Sequence, residues 1–368
     1  DSENEINAKL DLLQSRMAKK GLGYAVSRIT DPKAQANVWS VRKAGLGLMM
    51  NVQGEAKPLP FVEDTAVMPE RLPEYVRRFD QIVREHGTTA GYYGHASVGC
   101  LHIRPLVNLK RDEDIQRMES IARSVSDLVL EFEGAMSGEH GDGLVRSVWN
   151  KKMFGPNLYK AFGDVKRAFD PEAIMNPGKI VDSVSMTENL RYDIDYKPPV
   201  LQTGFKYQKE GGFTNAIEMC NGQGACRKVS GGTMCPSYMV TRDEEHSTRA
   251  RANALRSVVN GTLPVESLSS SRIYDVFDLC LGCKGCKAEC PSNVDIAKLK
   301  YEFINIYRKN NGFTMRDRLF GNLPLFSDMG SFMAPISNWV LGSKEFKNIL
   351  ESCFGIDSRR SLPKFSSQ

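Results

Sequence analysis

The sequence predicts an α+β protein, with a mixed α and β first half and a mainly α-helical, cysteine-rich second half. Three observations predict it. Residues 92–106 and 134–148 are rich in glycine with short apolar alternations, the pattern of strands and tight turns. Between them, Ile115, Met118, Ile121, Ala122, Val125 and Leu128 recur at helical spacing behind Asp112, a capping residue. Beyond residue 210, helical stretches such as 244–259 and 294–308 accompany two Cys-Pro motifs.

In chain order, residues 1–182 form the mixed part, which ends at "FDPEAIMNPGKIVD" with two prolines and a glycine. Residues 183–210, carrying Pro198 and Pro199 among polar and aromatic residues, read as a linker. Residues 211–310 form the cysteine-bearing helical part, and 311–368 an extension with weak periodicity and many turn residues. A chain of 368 residues with 41% apolar content is long enough for two or three compact domains. Its net charge of +5 is spread among nearly as many acidic residues, which argues against nucleic acid as a partner. No apolar run approaches the ~20 residues of a membrane span. There is no basic start followed by an apolar leader core. The first residue is Asp1, so the chain reads as a piece of something longer.

Seven of the nine cysteines lie between 220 and 290. They cluster with Cys-Pro endings, which points to metal and not to a disulfide framework. The expected location is cytoplasmic, with peripheral membrane association left open. Cys100 and Cys353 are read as packing residues.

"CLGCKGCKAECP" supplies Cys280, Cys283, Cys286 and Cys290, then Pro291, which matches the C-x2-C-x2-C-x3-C-P run of ferredoxins at every ligand position. Gly282 and Gly285 allow close backbone approach. A zinc knuckle also uses C-x2-C pairs, but four cysteines so close together before a proline fit an iron–sulfur cluster better. In two-cluster proteins the fourth cysteine of such a run ligates the other cluster. Cys280, Cys283 and Cys286 then take Cys235 as their fourth ligand and hold a [4Fe–4S] cluster. Cys290 crosses to Cys220 and Cys226 of "CNGQGACRKVSGGTMCP", where Gln223 replaces the middle cysteine. That second set has three thiolates, so a three-iron cluster and a four-iron cluster with a foreign ligand are both open.

Three of the five histidines fall in "GHASVGCLHIRPL" and "SGEHGDG". A hairpin with Val98-Gly99 as its loop places His95 opposite His102, where two imidazoles can share a divalent metal, zinc or similar. Val98 is awkward in a primed turn. His102 and Arg104 share a strand face, and a guanidinium there suits a carboxylate. Glu139 completes a His2Glu set, leaving His140 free as a general base. The bland alternative is a group of buried, hydrogen-bonded polar residues near turns.

These segments, with "FDPEAIMNPGKIV", resemble the C-terminal domain of FAD-linked oxidases of the vanillyl-alcohol oxidase type. "EMCNGQGACRKVSGGTMCPSYMVTRDEEHSTRARANALR" with "CLGCKGCKAECP" resembles the iron–sulfur part fused to it in bacterial D-2-hydroxyacid dehydrogenases. The resemblance implies a ferredoxin-like antiparallel sheet carrying the substrate, followed by a helical two-motif iron–sulfur domain. It implies His95, His102 and Glu139 as metal ligands and His140 as the base. It also implies Arg42 of "VWSVRKAG" on a substrate carboxylate and Asn176 near the flavin ring. The sequence departs from the family at Arg104, where many relatives have Asn, and at Leu46, where they have Thr; Lys57 reads as a surface lysine. The family's FAD-binding domain precedes this part and is not visible here.

The expected function is that of a central part of an FAD-dependent dehydrogenase. It oxidises a D-2-hydroxy acid (D-2-hydroxyglutarate or D-lactate) and passes electrons through clusters to a quinone or carrier protein. The alternative is an iron–sulfur electron-transfer subunit without substrate chemistry of its own.

Overall fold

The computed structural model describes residues 2–192 and 196–366. The chain forms two compact units. One comprises Asp1–Val52, Ala56–Val107 and Arg117–Thr187, the other Gln53–Glu55, Asn108–Gln116 and Glu188–Gln368.

The sheet of the first unit is built around the strand Cys100–Val107. Ala90–His95 pairs antiparallel along one edge, and two short strands, Lys57–Pro58 and Thr65–Ala66, share the other. With the helices Leu72–Glu85 and Asp112–Glu131, the order is β-α-β-β-α-β, the last strand reduced to one bridge between Ala66 and Ala135. This is the ferredoxin-like α+β arrangement. Period-2 alternation puts Leu101, Ile103 and Val107 on one sheet face and Cys100, His102 and Arg104 on the other. The apolar positions of both helices are buried: Tyr75, Phe79 and Val83 on one, Ile121, Val125 and Leu128 on the other. The Tyr75 ring meets Phe79 and Phe132 edge-on, at 5.9 and 5.4 Å. Each fully buried side chain of this size stabilises the unit by about 1.5–3 kcal/mol.

The expected hairpin forms with a different register. Residues 96–98 make a tight 3-10 turn and Gly99 takes φ 70°, so the connection is longer than two residues. A Cβ at Gly99 would stand 1.8 Å from the Val67 carbonyl oxygen, so only glycine fits. His95 therefore pairs with Cys100, and His102 with Tyr93. The rest of the 134–148 stretch is not strand: beyond the Ala135 bridge it is turns, the short helix Gly143–Arg146 and a 3-10 turn.

The second unit is helical. Thr248–Val259, Ser271–Asp278 and Ile296–Asn311 bury Leu255, Val258, Phe277, Leu299 and Phe303, with Phe277 and Phe303 stacked at 4.8 Å. Cys220, Cys226, Cys235 and Cys286 belong to this core. Between Phe169 and Phe213 the described residues form no helix or strand. The fully buried Glu302 ties that segment down by accepting the amides of Gly204 and Phe205 at 2.8 and 2.9 Å. The 311–368 extension, read as weakly periodic, instead shows four helices among its described residues: Met315–Gly321, Leu323–Phe332, Ala334–Gly342 and Lys344–Phe354. Cys353 is exposed there and not a packing residue. Among the described residues, no helix is long and apolar enough to cross a membrane.

Candidate functional site

One sheet face gathers the histidines. Pairing across the hairpin puts Tyr93 beside His102 and His95 beside Cys100, so His95 and His102 are diagonal neighbours with ring centroids 5.4 Å apart. The "GEHGDG" segment brings Glu139 onto this face. Its Oε1 stands 3.0 Å from His102 Nε2, 3.3 Å from His140 Nε2 and 3.5 Å from His95 Nε2. His140 stacks on His102 at 4.7 Å with the rings nearly parallel.

Asp64 is the fixed point of the site. It is fully buried and accepts the amides of Glu139 at 3.0 Å and His140 at 2.8 Å, the Ser137 hydroxyl at 2.7 Å and the Cys100 thiol at 3.4 Å. Burial works to raise its pKa, but the His140 amide, Ser137 and the other donors together hold it below the usual carboxylate range. Neighbouring Glu63 lies 3.6 Å from His140 Nδ1. The buried Arg146 donates to Gly141 O at 2.6 Å and Glu63 O at 2.5 Å, which moors the loop from its far side. Sequence reading found neither carboxylate.

The donor set fits a divalent cation. Imidazole nitrogens and a carboxylate oxygen converge on one locus, and oxygen and nitrogen atoms of Asp64, His102, Glu139 and His140 all lie within 4.8 Å of one another. Burial, helped by His140, lowers the His102 pKa and favours the neutral ring, the form that donates a lone pair. Its Nε2, 3.0 Å from Glu139 Oε1, is the nitrogen turned to that locus, while its buried Nδ1 has no hydrogen-bond partner among the described residues.

The seven clustered cysteines line two cavities. Cys235, Cys280, Cys283 and Cys286 line one, and Cys220, Cys226 and Cys290 the other, with Thr248 in the wall of both. Gln223 lines the three-cysteine cavity. Gly282 and Lys284 take left-handed conformations, which coil the "CLGCKGC" loop back on itself. A Cβ on Gly285 would stand 2.9 Å from Thr233 Cγ2. Glu289 joins the two motifs: it pairs with Lys228 and accepts the amides of Thr233 at 2.5 Å and Met234 at 3.3 Å. Those partners, Lys228 first, hold its pKa at about 2. Helix N-termini point at the sulfurs. The Arg249 amide donates to Cys226 Sγ at 3.3 Å, and the amides of Ile296 and Ala297 bond Cys286. Burial pushes the Cys220, Cys226 and Cys286 thiols up. At Cys235 burial acts the same way, but Ser237 and the Arg251 guanidinium outweigh it and the pKa falls. Sulfur-lined cavities with amide donors suit iron–sulfur clusters.

Residues 1–180 match the family of FAD linked oxidases, C-terminal domain, and residues 219–295 match the 4Fe-4S dicluster domain. The two matches follow one another along the chain, the oxidase one first. It is similar to the D-2-hydroxyglutarate dehydrogenase of Pseudomonas putida, 30% identical over all of this chain and 40% of that protein. The enzyme of the same name from Haemophilus influenzae is 29% identical over 94% of this chain and 37% of its own length. The D-lactate dehydrogenase of Archaeoglobus fulgidus is 33% identical over 36% of this chain and 29% of its own. The chain thus spans two-fifths or less of the length of these relatives.

Within residues 1–180, Arg42 sits on the helix Pro32–Met50, its guanidinium 5.1 Å from the centre of the Tyr93 ring. Arg104 lies 5.9 Å from the same ring, but it is 8% exposed and paired with Glu63 at 2.5 Å. Arg42 is therefore the more accessible cation. Lys57 donates to Val52 O at 2.6 Å. Asn176 is exposed at φ 47° and accepts from Lys179 at 3.2 Å. The amide of Asn150 donates to both Asp142 and Ile180, at 3.0 and 3.1 Å, which moors the Asn176 segment to the loop of His140.

Proposed function

We propose that the chain is the substrate, metal and cluster part of a flavin- and iron–sulfur-dependent dehydrogenase. It oxidises a D-2-hydroxy acid, D-2-hydroxyglutarate or D-lactate, to the 2-oxo acid. One observation carries this: Glu139 Oε1 lies within 3.5 Å of the Nε2 atoms of His95, His102 and His140, on the face where Arg42 and Arg104 flank Tyr93. The names of the similar proteins support it. Residues 1–182 take the substrate and metal, 183–210 connect, 211–310 carry the clusters and 311–368 extend them.

His95, His102 and Glu139 hold the divalent ion, and Asn176 borders the flavin. When bound, the ion supplies Lewis-acid polarisation of the hydroxyl, the flavin a two-electron sink and the clusters one-electron carriage to a quinone or carrier protein. Arg42 holds the substrate carboxylate. Glu63 and Asp64 stand 3.6 and 3.9 Å from His140 Nδ1 and Glu139 Oε1 3.3 Å from its Nε2, the nitrogen that faces the ion's ligands and accepts the hydroxyl proton. Cys235, Cys280, Cys283 and Cys286 hold a [4Fe–4S] cluster, and Cys220, Cys226 and Cys290 a second, incompletely thiolate-ligated one. The protein works in the cytoplasm or at a membrane surface.

A panel of D- and L-2-hydroxy acids, assayed on the FAD-loaded holoenzyme with an artificial electron acceptor, tests the function. Turnover of D-2-hydroxyglutarate or D-lactate is expected, and none with any acid of the panel would refute it. His102→Ala is expected to remove one divalent ion per chain by metal analysis, leaving iron and sulfide unchanged; equal metal content in variant and parent would sink the ligand assignment. For the second cluster, Cys226→Ser is expected to lower iron and sulfide and change the electron paramagnetic resonance spectrum of anaerobic protein. Unchanged counts and spectra would make the first motif's cysteines merely structural.

A further inference from the structure

Arg251 heads the fully buried side chains of the described residues by volume. A guanidinium out of water requires a counter-charge. Its Nε donates to Val276 O at 2.9 Å, one terminal nitrogen to Ser237 Oγ at 3.0 Å and the other to Cys235 Sγ at 3.5 Å. These are two neutral oxygens and one sulfur. No carboxylate of the described residues stands within ion-pair distance of it. A second cation adds to the imbalance: Lys300 Nζ donates to the carbonyls of Phe277 at 2.9 Å and Cys280 at 2.5 Å. Arg251 itself lines the cavity of Cys235, Cys280, Cys283 and Cys286.

We propose that Arg251 is the fixed counter-charge of the four-cysteine cluster, holding the Cys235 sulfur and raising that cluster's reduction potential. The inference rests on the reading that this cavity binds a [4Fe–4S] cluster. Such a cluster with four thiolate ligands is anionic, and it gains one further negative charge when it takes one electron from the reduced flavin or from dithionite. A buried cation at hydrogen-bond range stabilises the reduced form more than the oxidised form, because the interaction scales with charge and the medium screens weakly. Hydrogen bonds to cluster sulfurs act in the same direction. Arg249, the neighbour at the other cavity, does not serve the same way, because its guanidinium is already paired with Glu244 at 2.8 Å.

The test uses the anaerobically prepared chain with Arg251→Lys and Arg251→Met. Iron and sulfide are counted, and each cluster is titrated with dithionite under electron paramagnetic resonance. The three-cysteine cluster is the internal control. Arg251→Met is expected to lower the midpoint potential of the four-cysteine cluster and leave the other in place, while Arg251→Lys stays near the parent. Loss of the four-cysteine cluster in the methionine variant, with retention in the lysine variant, equally supports the charge assignment. A methionine variant with the parent's potential overturns the proposal alone. Failure of both variants to hold that cluster also overturns it, since lysine keeps the charge; the guanidinium would then be a packing element. A parent chain without iron and sulfide overturns the cluster reading and the proposal together.

Discussion

Replacing His140 by alanine is expected to slow reduction of the flavin by the hydroxy acid by about 10²–10⁴-fold, the usual scale for a lost general base. On the proposed reading the hydroxyl proton leaves as hydride departs, and His140 Nε2 accepts it. Glu63 and Asp64 face its other nitrogen, and Asp64 fixes its backbone. Stopped-flow absorbance of the FAD-loaded holoenzyme under anaerobic conditions reads the step directly. Metal analysis of the same variant separates two roles, because His140 also lies within 4.8 Å of the other donors. A slow variant with its divalent ion retained identifies a base. A variant that loses the ion identifies a fourth ligand instead, and an unchanged rate would remove His140 from the chemistry.

Arg104→Ala is expected to destabilise the first unit by about 3–5 kcal/mol, the cost of stranding one partner of a buried ion pair. Glu63 is 7% exposed and Arg104 8%, and they meet at 2.5 Å. Without the guanidinium, Glu63 is left charged and dry next to His140. Thermal unfolding checks this, and Glu63→Ala added to Arg104→Ala is expected to recover part of the loss. Arg42→Ala gives the contrast. It is expected to raise KM for the acid with little change in melting temperature, because Arg42 is more exposed and rests on the Tyr93 ring face outside any buried ion pair of the described residues. Equal melting of Arg104→Ala and the parent protein would show that the pair does not hold the site together.

The site was legible where chemistry is written in short spacings. The H-x6-H pair, the Glu-His pair and the cysteine runs are local strings, and the rule that a fourth cysteine serves the other cluster predicts the division into four and three that the cavities display. Glu63 and Asp64 were not legible. They sit just before a strand of two residues, without periodicity, and their roles exist only once the strand Cys100–Val107 and the "GEHGDG" loop meet beside them. Register failed for a local reason. Val98 does not suit a primed turn, and the chain inserts a 3-10 turn ahead of Gly99, which moves His95 from opposite His102 to its diagonal. The helix Asp112–Glu131 was read from one buried stripe, but Asp112, taken as its cap, is the first residue of the helix itself. The four helices after residue 311 were missed because each is short and the middle two are apolar on several faces, so no 3.6 period stands out.

Single-turnover mixing of the anaerobic, FAD-loaded holoenzyme with D-2-hydroxyglutarate or D-lactate tests the proposed function most directly. Flavin absorbance and cluster electron paramagnetic resonance are followed in the same samples. The proposal predicts bleaching of the flavin, then reduced-cluster signals that vanish in a Cys283→Ser, Cys226→Ser double variant while the bleaching remains. A holoenzyme loaded with flavin, divalent metal and clusters that none of these acids reduces would contradict it.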